Sequence, residues 1–93
     1  MKEYCLKFTS EADYHLETHI KAGNKQLLKK IYSIFNELKE HPYTGTGKPK
    51  PLKGKYKGFW SRRINIKHRL VYIIEETQIT VLVISVLGHY NDK

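Results

Sequence analysis

The segment Gln78–Leu87, with the sequence QITVLVISVL, is apolar at nearly every position. A strand with one face in water alternates between polar and apolar side chains, whereas a run without alternation is typical of a strand covered on both faces. We therefore predict that this segment is a central, covered strand. A chain of 93 residues forms one domain, so we expect a single domain over residues 1–93 built around this strand.

Two helices are predicted before the first proline. The residues Tyr4–Phe8 alternate and favour a strand, and Ser10 with Asp13 three residues later predicts the start of the first helix. Gly23 suits the left-handed C-cap of that helix, and Asn24 can cap a second one. The second helix has one apolar face, made of Leu27, Leu28, Ile31, Ile34, Phe35 and Leu38. Its opposite, lysine-bearing face is predicted to be solvated.

The middle of the chain is predicted to be a long loop followed by strands. Residues Pro42–Gly58 contain all three prolines and four of the six glycines, and a loop of this length is usually functional or mobile. Phe59–Ile64 and Leu70–Ile74 then read as strands, and the short turns after them imply antiparallel neighbours. The predicted fold class is α+β, with two N-terminal helices packed on a small, mainly antiparallel sheet in the order β-α-α-β-β-β.

Positive charge is concentrated in one segment. Between His41 and Ile74 the chain has no Asp or Glu, and the flanking segments are nearly neutral, so the formal net charge of +8 is a local property. The nine cations of this segment are Lys48, Lys50, Lys53, Lys55, Lys57, Arg62, Arg63, Lys67 and Arg69. A patch of one sign attracts a polyanion, which points to nucleic acid.

Two of these cations are expected to face each other across a hairpin. If the turn centres on Ile66, Arg63 and Arg69 lie directly opposite, and like charges in that position destabilise a sheet unless an anion lies between them. A bound phosphate would supply that anion. The pattern leaves the alternative open, in which two surface arginines are splayed into water.

Aromatic residues interleave with the cations, as they do on surfaces that stack the bases of single-stranded RNA. The candidates are Tyr56, Phe59, Trp60, Tyr72 and Tyr90. Because a short chain needs most of its aromatic side chains for the core, Phe59 and Tyr72 are predicted to pack inside. Trp60 and Tyr90 remain candidates for contact with RNA.

One histidine near the end of the chain could take part in cleavage of RNA. Attack by the 2′-hydroxyl on the adjacent phosphate requires a proton acceptor, a proton donor for the departing 5′-oxygen, and cations that stabilise the phosphorane. His89 suits either proton role, because imidazole titrates near neutral pH, and the lysines and arginines suit the third. Taken alone, Gly88-His89-Tyr90 is a weak signal, since a histidine beside a turn is more often a bystander.

The other histidines and the single cysteine predict no metal site. His15 and His19 are four residues apart on the first helix, but they lack the adjacent acid of a zinc helix and are predicted to lie on the surface; His41 and His68 are irregularly spaced. No cofactor is expected. With Cys5 as the only cysteine, no intramolecular disulfide can form. No apolar run is long enough for a signal peptide or a membrane span, so we expect a cytoplasmic protein without a membrane partner.

The basic segment and the C-terminal histidine belong to a specific pattern. It consists of Gly47-Lys48-Pro49, Pro51-Leu52-Lys53, Gly58-Phe59-Trp60-Ser61-Arg62-Arg63-Ile64, His68-Arg69-Leu70-Val71-Tyr72 and His89-Tyr90. This pattern resembles the YoeB (Txe) toxins of the RelE superfamily, and the resemblance spans the whole chain. It implies a RelE-like fold and an endoribonuclease that cuts mRNA in the ribosomal A site and so inhibits translation.

The resemblance also implies roles for single residues. Arg69 corresponds to the family's catalytic arginine, which stabilises the phosphorane, and His89 corresponds to its general acid. Tyr90 corresponds to the terminal tyrosine that helps to place the substrate. The residues expected to contact RNA are Lys48, Lys53, Trp60, Arg62 and Arg63.

One position departs from the family. The general-base glutamate of the motif G-K-P-E-P-L-K is replaced here by Lys50, and three alternatives stay open. Lys50 could itself be the base, because neighbouring cations would disfavour its charged form. His89 could be the base, with water or Tyr90 as the acid. The chain could also be a weak or inactive member kept for binding. In addition, the tail Asn91-Asp92-Lys93 extends past the tyrosine that usually ends the family's chains.

The partners follow from the same resemblance. They are a YefM-like antitoxin whose acidic segment covers the basic cleft, the ribosome with its mRNA, and operator DNA bound by toxin and antitoxin together; a homodimer is left open. The competing function is a non-catalytic RNA- or ribosome-binding module that represses its operator with the antitoxin. A purely structural basic protein is the third alternative.

Overall fold

The computed structural model describes residues 3–88, which form two helices and five strands. The helices are α1 (Ser10–Ala22) and α2 (Lys25–Glu40), and the strands are β1 (Cys5–Phe8), β2 (Lys50–Pro51), β3 (Trp60–Arg63), β4 (Arg69–Glu75) and β5 (Thr80–Ser85). The sheet order is β1-β5-β4-β3-β2, with β1 parallel to β5 and the other pairs antiparallel. The predicted α+β class is confirmed. Strand β5 is an interior strand that pairs with β1 and β4, and β4 is the middle strand of the sheet. The short strand β2 lies inside the segment that was predicted to be loop.

The helix ends follow the predicted signals with one shift. Thr9, not Ser10, is the N-cap of α1, and its hydroxyl oxygen accepts a hydrogen bond from the Ala12 amide at 3.0 Å. Gly23 has the left-handed φ of 76° that ends α1. Asn24 caps α2 through its side-chain oxygen, which accepts from the Leu27 amide at 3.0 Å. None of the helices in residues 3–88 is long and apolar enough to span a membrane.

Both helices contribute to a core on one face of the sheet. Alternation along β4 turns Leu70 and Tyr72 toward this core, and both side chains have no exposed surface. Arg69 and Arg63 occupy the alternate positions and point to the other face. We call this second face, which carries Lys50, Ser61, Arg63 and Arg69, the open face. The cationic side chains lie on the open face because the side chains at the alternate positions of the same strands point into the core.

A buried arginine fixes the chain that follows α2. The Arg62 side chain has no exposed surface, and its guanidinium donates to Glu37 Oε1 at 2.8 Å and to the Thr44 carbonyl at 2.7 Å. It also donates to the His41 carbonyl, and the Tyr72 hydroxyl donates to the Pro42 carbonyl at 2.8 Å. These bonds hold residues 41–46 against the core. The first part of the predicted loop is therefore anchored from inside the protein.

The partner of Arg62 is expected to make the fold sensitive to acid. Burial raises the pKa of Glu37, but hydrogen bonds from Thr46 and Arg62 outweigh burial and lower the pKa below its ordinary value of 4.5. The ionised Glu37 carboxylate therefore contributes its full stabilisation of the folded state when the pH is above 4.5. This stabilisation is lost as the pH falls through the pKa that Glu37 has in the folded state. We expect Glu37→Gln to be less stable than the wild type at neutral pH, and the difference to shrink in acid.

Denaturant unfolding at about pH 7 and at about pH 3, on either side of the titration of a glutamate, would measure this change. Glu17→Gln is the control, because Glu17 lies exposed on α1. If the free energy of unfolding of Glu37→Gln differs from that of the wild type by the same amount at both pH values, the lowered pKa of Glu37 is contradicted.

Candidate active site

The open face contains a cleft of about 280 Å³ beside the β3–β4 hairpin. Its lining consists of Lys30, Gly47, Lys48, Lys50, Ser61, Arg63 and Arg69. Five of these seven residues are cations and none is acidic. A concave site with one sign of charge concentrates its field on whatever enters it, so the cleft suits an anion such as a phosphate.

The hairpin register brings two cleft arginines together. Arg63 pairs directly with Arg69, which confirms the register that was predicted from a turn centred on Ile66. Residues in such positions have Cβ atoms about 4.5–5.5 Å apart, and their like charges repel. Arg63 is exposed and Arg69 is half-buried, and both line the cleft rather than separate parts of the surface. A phosphate between them would relieve the repulsion.

The loop before β2 approaches β3 so closely that only glycine fits at residue 47. The Gly47 carbonyl accepts from the Arg63 amide at 2.8 Å, and a Cβ atom on Gly47 would lie 2.5 Å from the Arg63 carbonyl oxygen. The next residue, Lys48, has a left-handed φ of 52°, which costs a residue with a side chain about 1–2 kcal/mol. Strained residues are often found at binding sites. Lys50 then pairs with Ser61 across β2 and β3.

The end of the described chain lies beside the first residue of β4. The Arg69 amide donates to the Gly88 carbonyl at 2.8 Å. Gly47, Arg63, Arg69 and Gly88 therefore lie side by side, and three strand spacings separate the first from the last by about 14 Å. The predicted site residues His89 and Tyr90 lie outside the described residues. His89 is joined by one peptide bond to Gly88.

The structure excludes one of the predicted RNA contacts. The prediction that Arg62 binds RNA is wrong, because this side chain is buried and its guanidinium is bonded to Glu37 and to carbonyl groups. Trp60 lies on the core side of β3, where it is half-buried and its ring packs at 5.3 Å against Tyr43, so its contact with RNA stays a prediction. Lys53 is exposed at the start of the turn Gly54–Tyr56 and does not line the cleft.

Lys30 and Ser61 line the cleft but were not predicted as site residues. Lys30 is one of several lysines on the polar face of α2, and nothing in its local sequence distinguishes it from the others. Ser61 could have been found, because it shares the alternation of Arg63 along β3.

Within residues 3–88 no group of three or more His, Cys, Asp or Glu side chains could hold a metal ion. Two histidine predictions need correction. His15 and His19 were expected on the surface, but His19 is buried and the His15 side chain is largely covered. Both contact the segment that leads to His89. Their position on the inner side of α1 explains the difference, because they follow the buried Ala12 by three and seven residues.

Known proteins match this chain over nearly its whole length. The family model for the YoeB-like toxin of bacterial type II toxin–antitoxin systems matches residues 8–90. Toxin YoeB of Synechocystis sp. is 41% identical over 85 residues, which are 91% of this chain and 95% of that protein. The solved structure of a YoeB/ParE toxin from Agrobacterium tumefaciens has a TM-score of 0.83 at 34% identity, covering 97% of this chain and 100% of that one.

One chain of a solved toxin–antitoxin complex is also similar to this chain. The toxin of the heterotetrameric YoeB–YefM toxin–antitoxin complex from Staphylococcus aureus has a TM-score of 0.78 at 30% identity, covering 94% of this chain and 98% of that chain. The match of the family model begins in β1, includes every residue that lines the cleft, and extends to Tyr90. The chain therefore belongs to the family of YoeB-like toxins of bacterial type II toxin–antitoxin systems.

Proposed function

We propose that this toxin is a ribosome-dependent endoribonuclease that cuts mRNA in the ribosomal A site and inhibits translation in the cytoplasm. The observation that carries the proposal is the pairing of Arg63 with Arg69 in a cleft whose lining, among residues 3–88, includes five cations and no acidic side chain. Two guanidinium groups side by side match a phosphate better than any uncharged ligand, because each can donate two parallel hydrogen bonds to it.

In the proposed reaction the 2′-oxygen of the message attacks the adjacent phosphorus, and the bond from phosphorus to the 5′-oxygen breaks. The products are a 2′,3′-cyclic phosphate and a 5′-hydroxyl. Arg69 stabilises the negative charge of the phosphorane, and Arg63 holds the same phosphate. His89 donates a proton to the departing 5′-oxygen, and Tyr90 helps to place the substrate. Lys48 and Lys53 hold neighbouring phosphates, and the reaction uses no metal or cofactor.

Lys50 is the proposed general base that removes the proton of the 2′-hydroxyl. Support comes from its position, because it lines the cleft two residues from the strained Lys48 and pairs with Ser61 beside Arg63. Lys50→Ala is expected to reduce the single-turnover cleavage rate about 10²-fold or more, within the usual contribution of a general base. Lys50→Glu replaces the amine by a carboxylate acceptor, so we expect it to keep or raise the rate.

Single-turnover cleavage of mRNA on programmed ribosomes measures these rates. Lys55→Ala is the matched control, because Lys55 is an exposed lysine in the turn Gly54–Tyr56 that does not line the cleft. Equal rates for the wild type and Lys50→Ala would remove Lys50 from the mechanism and leave His89 as the base.

The test of the function itself uses purified toxin, translating ribosomes and a defined message. We expect the wild type to cut the message in the A site and His89→Ala to bind ribosomes without cutting. Binding should weaken steeply with salt, because several phosphates are contacted. If the wild type produces no cut message, the proposed function is lost and the alternative, a binding module that represses with its antitoxin, takes its place. The replacement of the family's glutamate by Lys50 is the observation that favours this alternative.

The proposed protein partner is a YefM-like antitoxin whose acidic segment covers the cleft and competes with RNA for the same cations. Toxin and antitoxin together would bind their operator DNA. Growth arrest on expression of the chain, relieved by coexpression of the neighbouring gene, would support this pairing. A growth rate that does not change when the chain is expressed would favour the third alternative, a structural basic protein.

A further inference from the structure

Three histidines hold the backbone immediately before His89. The Val86 amide donates to His15 Nδ1 at 3.2 Å, and the Val86 carbonyl lies 2.9 Å from His19 Nε2. The Gly88 amide donates to His68 Nδ1 at 2.9 Å. We call His15, His19 and His68 the histidine clamp. The clamp binds both polar backbone groups of Val86 and the amide of Gly88.

The clamp joins elements that are distant in the sequence. Helix α1 contributes His15 and His19, and the turn between β3 and β4 contributes His68. The His19 ring packs edge-on against the His68 ring, with centroids 4.9 Å apart. His19 has 3% of its surface exposed and Val86 has none. Buried polar groups need hydrogen-bond partners. The backbone of Val86 and Gly88 therefore holds the histidine rings in place, and the rings hold that backbone in place.

The partners determine the protonation of each ring. An amide N–H can only donate, so His15 and His68 must both present an unprotonated Nδ1 and are neutral. A carbonyl can only accept, so His19 carries its proton on Nε2. Uptake of a proton at Nδ1 would abolish the bonds of His15 and His68 to the backbone. It would leave the bond of His19 intact.

We propose that the histidine clamp positions the C-terminal segment for catalysis, and that mild acid opens it by protonating His15 and His68. The consequence for cleavage rests on the proposed function, in which His89 is the general acid. His89 follows Gly88 directly, and Gly88 is held between His68 and the Arg69 backbone. Loss of the His68 bond therefore removes one of the two bonds that hold Gly88, the residue to which the proposed general acid His89 is joined in the chain.

Other titratable groups lie near the clamp. The Glu11 carboxylate is 3.6 Å from His15 Nε2, and the Tyr14 ring lies 6.4 Å from the His15 ring. Lys67 and Arg69 flank His68 in the chain. His15 and His68 have different charged neighbours. The experiment therefore follows the Val86 amide, which is bonded to His15, and the Gly88 amide, which is bonded to His68, separately.

The test is amide hydrogen exchange of Val86 and Gly88, measured by nuclear magnetic resonance on the full chain between about pH 7.5 and pH 5.5, the range in which imidazoles titrate. His68→Asn keeps an acceptor at the position of Nδ1 but cannot be protonated. His68→Leu removes the acceptor. His41→Asn is the matched control, because the His41 side chain is 58% exposed and contacts Glu40 rather than the segment.

In the wild type, protection of the Gly88 amide, corrected for intrinsic exchange, should fall at least about fivefold as the pH is lowered, the equivalent of one hydrogen bond. In His68→Asn the protection should not depend on pH, and in His68→Leu it should be low throughout. In the cleavage assay His68→Leu should lower kcat about tenfold or more, and ribosome affinity should stay near that of the wild type. His68→Asn should restore kcat.

Two results would overturn the proposal. One is protection of Gly88 and Val86 that does not change with pH in the wild type, which decides the matter even if a variant fails to fold. The other is equal Gly88 protection in the wild type and in His68→Leu. If the wild type cuts no message, the proposed nuclease function fails, but the exchange data still decide whether the clamp exists.

Discussion

Replacement of Arg69 by alanine is expected to abolish most of the cleavage while leaving the fold and ribosome association nearly intact. A preorganised donor that stabilises charge in the transition state is worth about 10²–10³-fold in kcat, and Arg69 is a half-buried guanidinium in a cleft that no acidic side chain of the described part of the chain lines. One phosphate contact among several contributes much less to binding. Single-turnover cleavage on programmed ribosomes and co-sedimentation with ribosomes separate the two effects.

The control for Arg69 is a cation outside the cleft. Lys57→Ala removes an exposed lysine that is absent from the cleft lining, and it should change the cleavage rate little. Arg69→Lys adds a second comparison, because a lysine keeps the charge but not the two parallel donors of a guanidinium. If Arg69→Ala cuts message at the wild-type rate, the assignment of the phosphorane-binding role is wrong.

The second large effect is expected at Arg62. Alanine at this position leaves Glu37 and the carbonyls of His41 and Thr44 without the guanidinium that now bonds to them. Removal of one partner of a buried ion pair costs about 3–5 kcal/mol, and we expect the lower end of this range because the Glu37 side chain keeps 26% of its surface exposed. In a chain of this size such a loss lowers the melting temperature by more than about 10 °C. Calorimetry or thermal circular dichroism would measure it.

The neighbouring arginine is a matched control. Arg63 is the same residue type one position along β3, but it is exposed and lines the cleft. Arg63→Ala should leave the melting temperature within a few degrees, because exposed substitutions change stability by less than about 0.5 kcal/mol. It should instead weaken RNA binding and reduce the salt dependence of that binding. Equal melting temperatures for the two alanine variants would show that Arg62 is not the anchor of residues 41–46.

Much of the fold could be predicted because its signals are local. Gly23 and Asn24 mark the helix ends, and the turn around Ile66 sets the pairing of Arg63 with Arg69. The parallel pairing of β1 with β5 could not be predicted in this way, because the partners lie more than 70 residues apart. The strand β2 was missed because it has only two residues, one of which is a proline.

The site was predicted less completely, for a physical reason. Charge alone does not distinguish Arg62 from Arg63, although the two point to opposite faces of β3. Side chains alternate between the two faces of a strand, so Trp60, Arg62 and Ile64 share one face. Ile64 is fully buried, which identifies this face, and Arg62 with it, as the side toward the core. The histidine clamp required knowledge of which helix face meets β5, and this is a property of the assembled core. Local pattern therefore predicted where the cations lie in the chain, but tertiary packing determined which of them line the cleft.

The most direct measurement is cleavage on programmed ribosomes of two messages that differ only at the ribose before the scissile phosphate, one with a 2′-hydroxyl and one with 2′-deoxyribose. We expect the first message to be cut to a 2′,3′-cyclic phosphate and a 5′-hydroxyl, and the second to stay intact although the toxin still binds. Equal cutting of both messages would contradict attack by the 2′-oxygen, and cutting of neither would contradict the proposed endoribonuclease activity.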